Sequence, residues 1–266
     1  MQRFFPSLAA IFLGCLAVPA NLDAQDAVAH YRRGVVWGAK NDYDRAIAEY
    51  DQAIRLGFNR AEVYNNRGNV WDRKGEKDRA IADSDAAIRL NPGCAVAYVG
   101  RGLAWLQKNE HDKAIADLSE AIRLDRNYTD AYHNRGIAWA NKGEWSKAIA
   151  DCAQALAINP NHRSACNSLA GLYAACPDQN YRNGKKAVEN ATKAYQLGGS
   201  RSWACLDVLA AAYAESGDFE KAREWQTKAI ELMAADKSVK DSKKAELRSR
   251  LELYKQGKPY HEEPTK

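Results

Sequence analysis

Residues 61–94 read AEVYNNRGNVWDRKGEKDRAIADSDAAIRLNPGC, and residues 95–128 read AVAYVGRGLAWLQKNEHDKAIADLSEAIRLDRNY. Laid under one another, the two stretches share an Arg-Gly pair, a tryptophan three residues after the glycine, and alanines at fixed places. The register extends to four copies. Gly34, Gly68, Gly102 and Gly136 are 34 residues apart, as are Arg33, Arg67, Arg101 and Arg135. The same spacing holds for Trp37, Trp71, Trp105 and Trp139, for Ala46, Ala80, Ala114 and Ala148, and for Ala53, Ala87, Ala121 and Ala155. A period of 34 with Gly and Ala at close-packing positions is that of a helix–turn–helix solenoid. A chain built this way is a scaffold whose function is contact.

Within the first stretch quoted, a helix is expected over 61–74, with Tyr64, Arg67, Gly68 and Trp71 on one face at i, i+3, i+4, i+7. A second is expected over 78–90, with Ala80, Ile81, Ser84, Ala87 and Ile88 in the same pattern. Gly68, Ala80 and Ala87 let the paired backbones approach, and Trp71 fills the space that the small residues leave. Between the helices a left-handed residue must stop the first one. Gly75, Gly143 and Gly217, with Asn41 and Asn109, supply it at the same repeat position. Asn91-Pro92 and Asn159-Pro160 break the chain before the next repeat.

On these residues the chain resembles the tetratricopeptide-repeat family over about residues 27–233, with Arg in place of the family's usual Leu before the glycine. The resemblance implies an all-α fold, a right-handed superhelical solenoid of antiparallel helix pairs. It also implies that the first helices line a concave groove that binds peptides or protein segments. Residues 27–162 hold four regular repeats and 163–233 two divergent ones, in which Leu169-Ala170 and Leu209-Ala210 replace Arg-Gly. The longer connection over 176–184 reads as a surface loop. These two repeats resemble the divergent ones near the ends of secreted bacterial arrays.

The departures test the packing. Arg33, Arg67, Arg101 and Arg135 are each followed 16 residues later by an acid, Glu49, Asp83, Asp117 and Asp151. Where the arginine becomes Leu169 or Leu209, the matching site becomes Asn190 or Trp225. Charge leaves both columns together, which predicts an ion pair between helices, within a repeat or with its neighbour. An unpaired charge at a core-facing site is costly.

Residues 237–257 are read as a capping helix with Leu247, Leu251 and Tyr254 on one stripe, stopped by Gly257 and Pro259. It would cover the apolar face of the last repeat. Residues 258–266 form a tail, expected to be disordered from Tyr260. At the other end, Arg3, the apolar run Leu8–Val18 and the polar stretch Asn21–Asp26 outline a secretory signal over 1–24, cleaved after Ala20 or Ala24. The run is too short to anchor in a bilayer. The expected location is the periplasm or outside the cell, without membrane association after cleavage. A lipid anchor on Cys15 is set aside, because Phe12-Leu13-Gly14 approaches it poorly and the site falls inside the apolar run.

The formal charge of +5 comes from 237–258, with 8 Lys/Arg and 3 Asp/Glu; the remainder is neutral. No basic stripe runs along the array, so no nucleic-acid partner is expected. The basic cap helix reads as a solvated face. Beyond Cys15 the cysteines are Cys94, Cys152, Cys166, Cys176 and Cys205, an odd number. Cys152 stands in the column of Ser84 and Leu118 and reads as a small buried residue. Cys166 and Cys205, near equal heights on neighbouring first helices, either pair or remain structural thiols. There is no CxxC, and Cys152, His162 and Cys166 lack zinc spacing, so no metal is expected. His30, His111, His133, His162 and His261 occupy different repeat positions. No GxSxG, HExxH, phosphate loop or dinucleotide fingerprint occurs, and neither catalysis nor a cofactor is expected. The leading reading is an exported, non-enzymatic adaptor that binds a protein or peptide partner. The alternative is an envelope-assembly factor or an accessory subunit completing an enzyme or secretion complex.

The resemblance places concave-face residues at the second, fifth, ninth, twelfth and thirteenth positions of each first helix. Carried onto this chain they are Glu62, Asn65, Asn69, Asp72 and Arg73; Val96, Val99, Leu103, Leu106 and Gln107; and Asp130, His133, Ile137, Ala140 and Asn141. The candidate site comprises Asn65, Asn69, Asp72, Val96, Val99, Leu103, Leu106, Asp130, His133 and Ile137. Its middle is apolar, flanked by Asn, Asp and His. Tyr98, Arg101, Gly102 and Trp105 already form the core stripe of that helix, which leaves the strip for an extended or helical segment with one or two apolar anchors over Val99, Leu103 and Leu106. The family's clamp for chaperone tails uses Lys and Arg at several of these positions. Here they are Asn65, Asn69, Gly100, Asp130 and Asn134, so capture of a C-terminal carboxylate is not expected.

Overall fold

The structure, a computed structural model, describes residues 20–198, 202–234, 236 and 239–263. The expected signal segment lies outside the described residues up to position 19. Six helix pairs follow one another: α1 (Ala20–Ala39) with α2 (Tyr43–Arg55), α3 (Ala61–Arg73) with α4 (Lys77–Leu90), and α5 (Ala95–Gln107) with α6 (His111–Leu124). Then come α7 (Thr129–Asn141) with α8 (Trp145–Ile158), α9 (Arg163–Ala175) with α10 (Gly184–Gln196), and α11 (Trp203–Glu215) with α12 (Phe219–Ala234). A last helix, α13 (Asp241–Lys255), packs on α12. No strand occurs among the described residues, and the pairs stack as an all-α solenoid.

The turns inside the pairs use the residues that the sequence points to. Asn41 and Asn109 sit at φ 59°, Gly75 and Gly217 at 87°, and Gly143 at 75°. This left-handed conformation is open to Gly and tolerated by Asn. The glycine column has a different cause, close approach. A Cβ on Gly102 would lie 2.9 Å from Leu118 Cγ, and one on Gly136 would lie 2.9 Å from Cys152 Sγ. The alanine columns are buried on the facing helices. Apolar burial therefore runs as a chain of small clusters along the array instead of one central core.

The arginine columns are ion pairs. Arg67 Nε donates to Asp83 Oδ2 at 2.8 Å and Nη2 to Oδ1 at 2.6 Å; Arg101 repeats the fork on Asp117, and Arg135 on Asp151. The third arm reaches back to the preceding repeat, where Arg101 Nη1 donates to Asp85 Oδ1 at 2.6 Å and Arg135 Nη1 to Ser119 Oγ at 3.1 Å. Arg67, Arg101 and Arg135 thus each fix three helices at once, whereas Arg33 reaches only Glu49 of the facing helix. At Leu209 and Trp225 the same place is an apolar contact within one cluster. A second ladder, unforeseen from the sequence, joins Lys74 to Asp44, Lys108 to Asp78 and Lys142 to Asp112 across neighbouring repeats.

The C-terminal helix is held by more than its apolar stripe. Leu247 and Tyr254 are buried. Beside them Arg250 pairs with Asp207 of α11, and Gln226 Nε2 donates to Asp207 Oδ1 at 2.9 Å and to the Leu247 carbonyl at 3.0 Å. The tail expected to be disordered is partly folded back. Tyr260 stacks under Arg250 at 3.9 Å, His261 Nε2 lies 2.8 Å from Glu215 Oε2, and the Glu262 N–H donates to the Ala175 carbonyl at 2.9 Å. The physical reason is the end of α9: its last carbonyls lack helical partners and the returning backbone satisfies one of them.

Candidate protein-binding groove

Successive first helices touch one another (α1 with α3, α3 with α5, α5 with α7, α7 with α9, α9 with α11), whereas successive second helices do not reach that contact. The first helices therefore lie on the inner radius, and their free faces form the concave surface. Among the described residues, cavities open between them at several places. One, between α1 and α3, is lined by Val35, Asn66, Asn69 and Arg73 among others. The second, near the starts of α9 and α11, is polar, with His133, Ser164, Asn167 and Ser202. The third, of about 250 Å³, lies between α7 and α9 and includes Ile137, Ala140, Asn141, Gly171 and Leu172.

The candidate residues divide among these places. Asn69 is exposed in the first cavity. Asn65 Oδ1 is buried without a hydrogen-bond partner. Asp72 is tied to its surroundings: Lys77 Nζ pairs with it at 3.0 Å and Gln107 Nε2 donates to it at 3.1 Å, bridging α3 and α5 across the groove. In the middle repeat, Val96 is 46% exposed but Val99 only 6%. The expectation that Val99 offers a free apolar anchor is corrected here. It belongs to the cluster of Ala114, Leu118, Ala131 and Ala138, because the contact between α5 and α7 uses that face. Leu103 and Leu106 are half-buried against the same cluster.

Asp130 and His133 come together through a third residue. The Ala165 N–H donates to His162 Nδ1 at 3.1 Å, which places the ring proton on Nε2, and Nε2 donates to Asp130 Oδ1 at 2.9 Å. The His162 ring stands 5.2 Å from that of His133, whose Nε2 lies 3.0 Å from Ser168 Oγ. Burial, with the neighbouring His162, pushes the pKa of His133 down to about 4, so it is neutral at pH 7. Ile137 lines the cavity between α7 and α9, beside Trp145 and Cys152. Burial pushes the Cys152 thiol up to about 12, with Asp151 adding to it, which leaves it unreactive. Cys166 and Cys205 share an apolar cluster as free thiols.

Sequence reasoning missed Gly171, Leu172, Glu262 and Glu263, which complete that third cavity. The signal was present for Gly171. It occupies the column of Asn69, Leu103 and Ile137, where every preceding regular repeat from the second onward carries a larger side chain. For the two glutamates there was none.

Comparisons with known proteins agree with this fold. The family model described as ETO1 C-terminal domain matches residues 12–172, more than half of the chain. A tetratricopeptide-repeat model matches residues 204–234, the α11–α12 pair. No curated protein matches significantly. Among solved structures, MamA is 26% identical, with 67% of this chain and 94% of that one covered at a TM-score of 0.54. PilF of Pseudomonas aeruginosa is 16% identical over 85% of this chain and 98% of that one, with a TM-score of 0.70. YrrB, described as a TPR protein with an unusual peptide-binding site, is 22% identical over 70% and 93%, with a TM-score of 0.52.

Proposed function

Because this chain belongs to the tetratricopeptide-repeat family, we propose that it is a non-enzymatic scaffold that holds a segment of a partner protein in its concave groove after export from the cytoplasm. The observation that carries the reading is the row of open cavities between successive first helices, lined by residues of α1, α3, α7, α9 and α11. A surface folded only for its own stability would close such gaps with larger side chains. YrrB, which shares the fold, is described as having a peptide-binding site. Export is supported by the outline of residues 1–24. The accessory-subunit reading shares the groove and differs in consequence: its partner would gain activity on binding.

The test uses the chain as its host processes it. N-terminal sequencing should find Gln25 or Asn21 first; retention of Met1 on a cytoplasmic protein contradicts export. Proteins co-purifying with the wild-type chain are then compared with those on Val96→Glu and Asn69→Arg, two exposed groove substitutions, and on the convex-side Arg123→Ala. A partner lost from the groove variants alone supports the scaffold. A partner retained by all three places binding elsewhere, and one whose turnover rises on binding supports the accessory subunit.

A further inference from the structure

The cavity between α7 and α9 is lined by a residue without a side chain where the preceding repeats carry a large one. Leu103 and Ile137 hold the ninth position of α5 and α7, and Gly171 holds it in α9. A Cβ added there would meet nothing within 4 Å. Glycine inside a helix costs ~0.5–1 kcal/mol relative to alanine, and here no close approach or left-handed backbone demands it. The gap opens into the groove and reaches down to Cys152 between Ile137, Ala140, Trp145 and Leu172. At about 250 Å³ it falls below the ~300–1,000 Å³ of small-molecule pockets and suits one large side chain.

Charge selects what stands beside that side chain. The charged residues of the lining are Glu262 and Glu263, brought there by the returning C-terminal segment. Glu263 makes no ion pair with any described residue. The cavity also lies at the C-terminal ends of α7 and α9, where the helix dipoles add negative potential. An acidic segment is repelled from this mouth, and a basic one is favoured.

We propose that the cavity at Gly171 is a socket for one large apolar side chain of a partner protein's segment, next to which the segment carries a lysine or arginine that meets Glu263. The proposal rests on the groove reading above and moves the principal anchor from the middle repeat to the junction of the fourth and fifth helix pairs. Leu103 and Leu106 then line the approach. The C-terminal segment acts as the rim that completes the site.

The test selects a random dodecapeptide display library on the full chain and measures synthesised binders by fluorescence anisotropy. Selected sequences should place Leu, Ile, Met or Phe beside Lys or Arg. Gly171→Leu fills the socket from within and should weaken them ~10- to 100-fold, the worth of burying one such side chain. Glu263→Lys should weaken them about twofold to fivefold, and less at high salt, as an exposed pair does. Ile137→Trp narrows the same cavity from α7 and should reproduce the loss if Gly171→Leu alters the fold. Binders unaffected by both socket variants but weakened by Val96→Glu overturn the socket and leave the groove reading standing. Binders indifferent to all of these substitutions, or no binders at all, overturn both. Acidic residues beside the anchor overturn the role given to Glu263.

Discussion

Removing Arg101 separates a built-in ion pair from a decorative one. Its guanidinium donates twice to Asp117 and once to Asp85, with side chains 22% exposed for Arg101 and 9% for Asp117. The hydrogen bonds to Asp117 hold the guanidinium above its ordinary value against the opposing effect of burial. Arg101→Ala strands the Asp117 carboxylate among apolar neighbours and removes the guanidinium that lies 5.6 Å from the Tyr98 ring. Breaking a fully buried pair costs ~3–5 kcal/mol, and the residual exposure of Arg101 lowers this to about 2–4 kcal/mol. Arg123, by contrast, pairs with Glu120 on the surface and is 67% exposed, so Arg123→Ala should leave the stability close to that of the wild type. The double substitution Arg101→Leu with Asp117→Leu should return to within about 1 kcal/mol of the wild type, since apolar replacement of a buried pair is often neutral. The chain already contains such an exchange at Leu209 and Trp225. Urea unfolding followed by circular dichroism and tryptophan fluorescence gives the midpoints. The two probes must coincide, because repeat arrays can unfold in parts. Equal midpoints for Arg101→Ala and Arg123→Ala would refute the pairing as a source of stability.

Two further outcomes follow from the buried polar groups. The folded-state pKa of His133, about 4, lies below the ~6.5 of an unfolded histidine, so its contribution is complete above pH 6.5 and lost as pH falls from 6.5 towards 4. The loss is up to ~3 kcal/mol, with Asp130 opposing it; His133→Gln should flatten the urea midpoint across that window, and an unchanged slope would count against the assignment. At the C-terminal cap, Arg250→Leu leaves Asp207 buried with Gln226 as its remaining donor and should cost ~3 kcal/mol, visible as faster amide exchange throughout α13. Exchange in α13 as slow as in the wild type would mean that Leu247 and Tyr254 hold the cap unaided.

The array was legible because its columns answer to sterics. Gly102 must be glycine under Leu118, and Asn109 must tolerate a positive φ, so the sequence repeats wherever the geometry does. The pairing of Arg101 with Asp117 was legible because both charges disappear together further along the chain. Its third arm was not, since the acceptor column runs Asp51, Asp85 and then Ser119, and a column that changes chemistry looks like noise. Val99 was misread for a related reason. A position number says which way a side chain leaves its helix, but not that the next helix, α7, comes close enough to cover it. Asp207 and Arg250 are 43 residues apart, and in a helix rich in Lys and Arg nothing marks out the one guanidinium that turns inward.

The link from the C-terminal segment to Ala175 had no signature, because it is made by the backbone of Glu262. That link bears on where a ligand can bind. In the regular repeats several polar groups of the concave face find one another, with Asn65 Oδ1 the exception: Gln107 spans to Asp72, and His162 to Asp130. Self-satisfied groups offer a ligand only an exchange of hydrogen bonds, worth little net. At the junction between the fourth and fifth pairs the regularity fails in two ways at once, with a missing side chain at Gly171 and, at Glu263, a carboxylate with no ion-pair partner among the described residues. A ligand gains apolar burial from the first and a charge partner from the second, and neither gain requires breaking an existing contact. The binding energy of this scaffold should therefore concentrate where its repeats stop being alike.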